Sequence, residues 1–251
     1  MILFGARGGN EVRRQADGLQ HMIIAVLAVI AVGLSGNAAS AAPGLWEDMP
    51  TITLRVPGKS DAAWKDACCQ AKDERQGLKY DCGKYMTLTI PDMEKYYGDV
   101  GPGLALGYRA CQIAFAHLYP GEIPRRGDQF IVGALSSCPA DPISFITGVR
   151  YGKDVPEVFN GNLVFDKKIE PFSFIFASMS NGKAFKLTCR YKLPQEFLDL
   201  MELKKHDPVA VDKFWNMAHC LSRFILTAPA GEIYEVTPLP NFSWKEYKGR
   251  N

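Results

Sequence analysis

The sequence predicts an α+β fold in which helices are segregated from an antiparallel sheet. Three observations carry this. Apolar residues recur at helical spacing from Leu104 to Leu118, and again on one face of Pro208–Leu226 through Val211, Phe214, Trp215, Ala218, Leu221, Phe224 and Ile225. Gln129–Leu135 is a short apolar run of the kind that makes a buried strand. Phe172–Ser178 and Lys183–Arg190 show partial period-two alternation on either side of Asn181-Gly182, a strong hairpin signal, with a type I′ turn expected.

Residues 1–41 stand apart from the fold. Arg7, Arg13 and Arg14 precede an apolar run of 12 residues, Ile23–Leu34, and a small-residue stretch ends at Ala39-Ser40-Ala41. That order is a cleavable signal peptide, with cleavage expected after Ala41 and export to the periplasm or medium. The run falls short of the roughly 20 residues that cross a bilayer, so no stable membrane insertion is expected after cleavage.

The 210 residues that follow hold 26 basic and 25 acidic side chains, a balance that gives no general attraction to nucleic acid. All seven cysteines lie there, at positions 68, 69, 82, 111, 138, 189 and 220. An oxidising compartment favours pairing of some, and an odd count leaves at least one free. Cys111 falls on the apolar face of the 104–118 helix and reads as a small buried residue.

Taken in order, residues 42–84 read as a mobile leader (42–50) and a helix from the Ser60 cap to Lys72. Met86–Ile90 is extended, and Pro91 suits the first turn of a short helix to Tyr97. Four glycines and a proline between Gly98 and Gly107 mark a tight loop where backbone approaches something closely. Pro120-Gly121 ends the following helix. After the 129–135 strand, Cys138-Pro139-Ala140-Asp141-Pro142 breaks the chain ahead of a short helix, Ile143–Thr147, stopped by Gly148. Asn162–Phe165 is a strand, Pro194 opens a helix to about Lys205, and the last helix follows from Pro208.

No G-x-S-x-G, H-E-x-x-H, C-x-x-C or Walker loop occurs. His117, His206 and His219 are far apart in sequence, and His117 and His219 read as surface or satisfied side chains. Two segments stand out instead. The first runs Tyr96-Tyr97-Gly98-Asp99-Val100-Gly101-Pro102-Gly103 into Gly107-Tyr108-Arg109. The second runs Cys138-Pro139-Ala140-Asp141 into Thr147-Gly148, followed by Gly161-Asn162-Leu163 and Asn181-Gly182-Lys183. Together they resemble the FmdE family, named for a component of formylmethanofuran dehydrogenase. That family typically carries Phe-His-Gly-His-x-Cys-Pro-Gly, then Gly-x-Arg, a later Cys and Asp, and Thr-Gly.

The resemblance covers residues 85–195 and leaves 196–251 as a C-terminal helical extension. It implies a mixed, largely antiparallel sheet with helices on one face, and a homodimer. It also implies a pocket involving Tyr97, Gly98, Pro102, Gly103, Gly107 and Arg109 on one side and Asp141 and Thr147 on the other. Where the family has its two histidines and first cysteine, this chain has Tyr97, Asp99 and Gly101. Of the implied metal ligands, Cys138 remains, and Asp99 offers a carboxylate in place of a histidine; zinc or a similar divalent metal would be held weakly. The expected function is an exported FmdE-like binding protein for a small molecule, metal or cofactor, without catalysis. The alternatives are an enzyme with Cys138 as nucleophile, which lacks an evident histidine to activate it, and a partner-binding module using the aromatic C-terminal helix.

Overall fold

The computed structural model describes residues 44–56, 85–134, 138–151 and 162–247. The expected signal peptide, the Ser60–Lys72 helix and Cys68, Cys69 and Cys82 lie outside the described residues. The described chain belongs to one unit, Gly44–Asn251.

Residues 44–50 form turns that lead into β1 (Ile52–Arg55), which pairs antiparallel with β2 (Tyr85–Leu88). The expectation of a mobile leader at 42–50 fails for its described part. Trp46 and Met49 are buried in the main core, and burying two large apolar side chains outweighs the freedom of so short a segment. Helix α1 (Ile90–Tyr97) starts on a capping box: Thr89 and Asp92 each accept from the other's backbone N–H. It stops at Gly98, whose φ of 85° suits glycine.

Helix α2 (Pro102–Leu118) begins at once, with Gly101 as its N-cap and Pro102 in its first turn. The expected glycine loop is therefore largely helix. Most of α2 is buried, as befits a helix apolar nearly all round. The hydroxyl of Tyr108 donates to Pro50 and Leu88, tying α2 to the β1–β2 ribbon.

Five strands make the main sheet: β3 (Gln129–Gly133), β4 (Leu163–Phe165), β5 (Phe174–Ser178), β6 (Ala184–Cys189) and β7 (Tyr234–Pro238). Their order is β4-β3-β5-β6-β7. The β3–β4 pair is parallel and the other three are antiparallel. Helix α3 (Ala140–Thr147) lies between β3 and β4 in the chain. Ile131, Phe174, Phe176 and Leu187 face the core that α2 fills. On the opposite face Phe130, Val132, Ile175 and Ala177 are covered by Leu239, Phe242, Trp244 and Tyr247 of the tail, which ends in the single turn α7 (Trp244–Tyr247).

The segment expected as a helical extension supplies part of the sheet. Helices α4 (Gln195–Leu203) and α5 (Pro208–Thr227) form as anticipated, and α5 packs along α2. The short α6 (Ala230–Ile233) then leads into β7, which pairs with β6. Buried Tyr234 donates to the carbonyls of Leu106 and Phe172, so β7 is bonded to both α2 and the turn before β5.

The β5–β6 hairpin turns through four residues, 179–182. Ser178 N–H donates to Lys183 O, and Gly182 N–H donates back to Ser178 O. Only Gly182 takes positive φ, at 73°, so the expected type I′ turn gives way to a longer loop. The Asn181 amide explains the change: it donates to Leu118 at the end of α2, while its oxygen accepts from Lys183 N–H.

Candidate functional site

The left-handed Gly98 reverses the chain between α1 and α2. Tyr97 closes α1, and the Asp99 carboxylate accepts from Val100 N–H in the link. The chain of α3 is brought to the same end of α2 by two glycines. A Cβ on Gly107 would stand 2.2 Å from the Pro139 carbonyl oxygen and 2.4 Å from Pro142 Cγ. A Cβ on Gly103 would stand 2.7 Å from Cys138 Sγ. Gly107 does meet a close backbone approach, made by the Pro139 cap of α3, whereas Gly103 meets the Cys138 side chain, so α2 and the start of α3 are in contact at this point.

An exposed rim surrounds that contact. Cys138 and Asp141 are exposed at the start of α3, and Tyr97 is half-buried beside them. The rings of Tyr96 and Tyr97 lie 4.7 Å apart, edge to face, and that of Phe145 lies 5.0 Å from Tyr96 and 6.2 Å from Tyr97. Desolvation pushes the Tyr97 hydroxyl well above the ordinary tyrosine range, with Asp141, Tyr96 and Cys138 adding to the effect. Desolvation by the surrounding protein also raises the Cys138 thiol, and the Asp141 carboxylate raises it further by opposing the thiolate. Cys138 therefore lacks the electropositive setting of reactive cysteines.

The remaining residues of the expected site go elsewhere. Arg109 turns along α2, donating to Gln112 and to the Ala228 carbonyl just past α5. Thr147 is buried and finishes α3: its hydroxyl donates to Ile143 O and accepts from Val149 N–H. Pro102 is buried in the first turn of α2. Asp99 points to α5, where its Oδ1 lies 2.8 Å from Nε2 of His219.

That histidine was not foreseen as a partner, because Asp99 and His219 share no local pattern in the sequence. The ring of Trp46 meets it edge-on at 5.7 Å, and that of Trp215 lies at 6.1 Å. One turn further along α5, Ser222 donates to Val100 O, while Arg223 donates to Leu45 O and forks onto Asp48. One face of α5 thus holds both the α1–α2 link and the 44–50 segment. Among the described residues, no three His, Cys, Asp or Glu side chains are grouped to hold a metal ion, so Cys138 and the Asp99–His219 pair do not form a single donor set there.

A family model described as FmdE, molybdenum formylmethanofuran dehydrogenase operon, matches residues 96–235. The chain belongs to the FmdE family. The match spans both motif segments and runs through α4 and α5 to the first residues of β7. A solved structure of a tungsten formylmethanofuran dehydrogenase FmdE-like protein from Syntrophus aciditrophicus is similar at 13% identity, over 65% of this chain and 78% of that chain, with a TM-score of 0.42. No curated protein matches.

Proposed function

We propose that this FmdE-family chain is an exported, non-catalytic binding protein whose ligand sits on the rim of Tyr97, Cys138 and Asp141. The observation that carries the reading is the placement of Cys138. It is exposed at a fixed point on the α2–α3 contact, yet its surroundings hold the thiol protonated near neutral pH. A nucleophilic role needs a base within reach, and His219 is engaged by Asp99 instead. The partner-binding alternative has less support. On the apolar face of α5, Phe214, Ala218 and Ile225 are buried and Trp215 and Leu221 pack partly against them, which leaves Phe224 as its exposed large side chain.

Two arms test this. N-terminal sequencing of the chain recovered from the exported fraction should read Ala42; a product that keeps residues 23–34 overturns export. A thermal-shift panel of small organic anions, cations and neutral compounds, with zinc, should contain a stabilising compound. At a hundredfold excess over Kd it should add about 2.7 kcal/mol. The shift should shrink in Asp141→Asn or Cys138→Ala. A panel with no stabilising compound, or a shift indifferent to both variants, overturns the rim.

A further inference from the structure

We propose that the rim takes an organic ammonium ion, seated on the exposed Tyr96 ring and paired with the Asp141 carboxylate. This rests on the binding reading above and adds the chemical class of the ligand.

Tyr96 is 67% exposed although it lies in the last turn of α1 in contact with two other rings. Phe145 and Tyr97 pack against it and hold it in place. The negative face of an aromatic ring attracts a cation within about 6 Å of its centroid. Beside the rings, the Asp141 carboxylate has no hydrogen bond or ion pair among the described residues. It stands four residues before Phe145 on the same face of α3, which sets it beside the ring cluster that Phe145 joins, and its charge is felt by both Tyr97 and Cys138. Those two neighbours stay protonated and do not offset its charge.

Three ligand classes can be compared on this surface. An anion would meet a carboxylate and the negative faces of the rings. A neutral apolar compound would bury ring area but strip water from an unpaired carboxylate, which is costly. A bare divalent metal needs at least three donors, and no such group exists among the described residues. A positively charged nitrogen carrying methyl or methylene groups satisfies both rings and carboxylate.

Calorimetric titration of the natively processed chain with choline, beside its neutral carbon isostere 3,3-dimethyl-1-butanol, separates charge from shape. Choline should bind about twofold to fivefold more tightly than the isostere, the range that cation–π contributions of about 0.5–1 kcal/mol at an exposed ring allow. Asp141→Asn and Tyr96→Leu, both at exposed positions, should each weaken choline binding while circular dichroism stays unchanged. Equal binding of choline and isostere, or choline binding indifferent to both variants, overturns the proposal. If choline fails while another panel compound stabilises the protein through Asp141, the ammonium class is wrong and the rim stands. If both fail, both readings fall.

Discussion

Nε2 of His219 lies 2.8 Å from Oδ1 of Asp99, joining the α1–α2 link to the middle of α5 across 120 residues. The pair is mostly shielded, between the rings of Trp46 and Trp215. Hydrogen bonds to charged groups contribute about 1.5–3 kcal/mol, and a chain of this size loses about 2–4 °C per kcal/mol. His219→Ala should therefore lower Tm by several degrees in a thermal melt. The double variant with Asp99→Asn should lose less than the sum of the two single losses, and strict additivity would show that the pair does not interact.

Gly107→Ala separates helix propensity from packing. Alanine is favoured by about 1 kcal/mol within a helix, yet here its Cβ would meet the Pro139 carbonyl at 2.2 Å. Backbone cannot yield as a flexible side chain can, so the variant should be destabilised by more than the propensity gain and show a lower urea midpoint. Gly103→Ala meets chiefly the Cys138 sulfur. Its loss should be smaller and partly relieved by adding Cys138→Ala. Equal losses at the two positions would count against this account of the α2–α3 contact.

Gly182 has open space around it but a φ of 73°. Replacing it with valine costs backbone strain alone, on the order of 1–2 kcal/mol, whereas Gly182→Asn should cost much less. Chemical denaturation of both variants checks this. A valine variant as stable as the parent would place the turn elsewhere.

The Cys138 thiol is raised first by desolvation and then by Asp141. A raised thiol pKa leaves less thiolate at neutral pH, so iodoacetamide should modify Cys138 more slowly at pH 7 than it modifies a free cysteine. The rate should climb as pH rises through the elevated pKa. Asp141→Asn removes the opposing charge and should move that rise to lower pH. A rate faster than free cysteine at pH 7 would restore the nucleophile reading.

Zinc is expected to bind weakly, since Tyr97, Asp99 and Gly101 stand where the resemblance implies two histidines and a cysteine. A Cβ on Gly101 meets nothing within 4 Å, so the backbone there leaves room for a side chain to start. Tyr97→His, Asp99→His and Gly101→Cys together should raise zinc affinity by orders of magnitude, since three more donors accompany Cys138. A competition titration on reduced protein measures it. Tight binding by the parent chain that survives Cys138→Ala would show that the ligands lie elsewhere.

Much of the fold was legible in the sequence because its signals are local. Helical spacing marked α2 and α5, the apolar run marked β3, and alternation around Asn181-Gly182 marked the β5–β6 hairpin. Gly98 and Gly148 both stop helices in the left-handed conformation. The motif segments likewise identified the family from residues close together in the chain.

Tertiary structure decided what those signals could not encode. Four glycines and a proline read as a loop, because glycine lowers helix propensity; burial of α2 against α3 overrode that preference and made Gly103 and Gly107 contact points. The turn at Asn181 lengthened because its side chain found Leu118, 63 residues away. β7, short and only partly buried, joined the sheet through its pairing with β6. In the sequence Asp99 reads as a carboxylate standing in for a metal ligand and His219 as a surface or satisfied side chain, 120 residues away. Periodicity specifies which face of an element is apolar, but the partner of a polar side chain depends on how distant elements pack. For that reason periodicity and turn residues were enough for α2, α5, β3, the β5–β6 hairpin and the family, while the packing of α5 against α2 assigned His219 to Asp99.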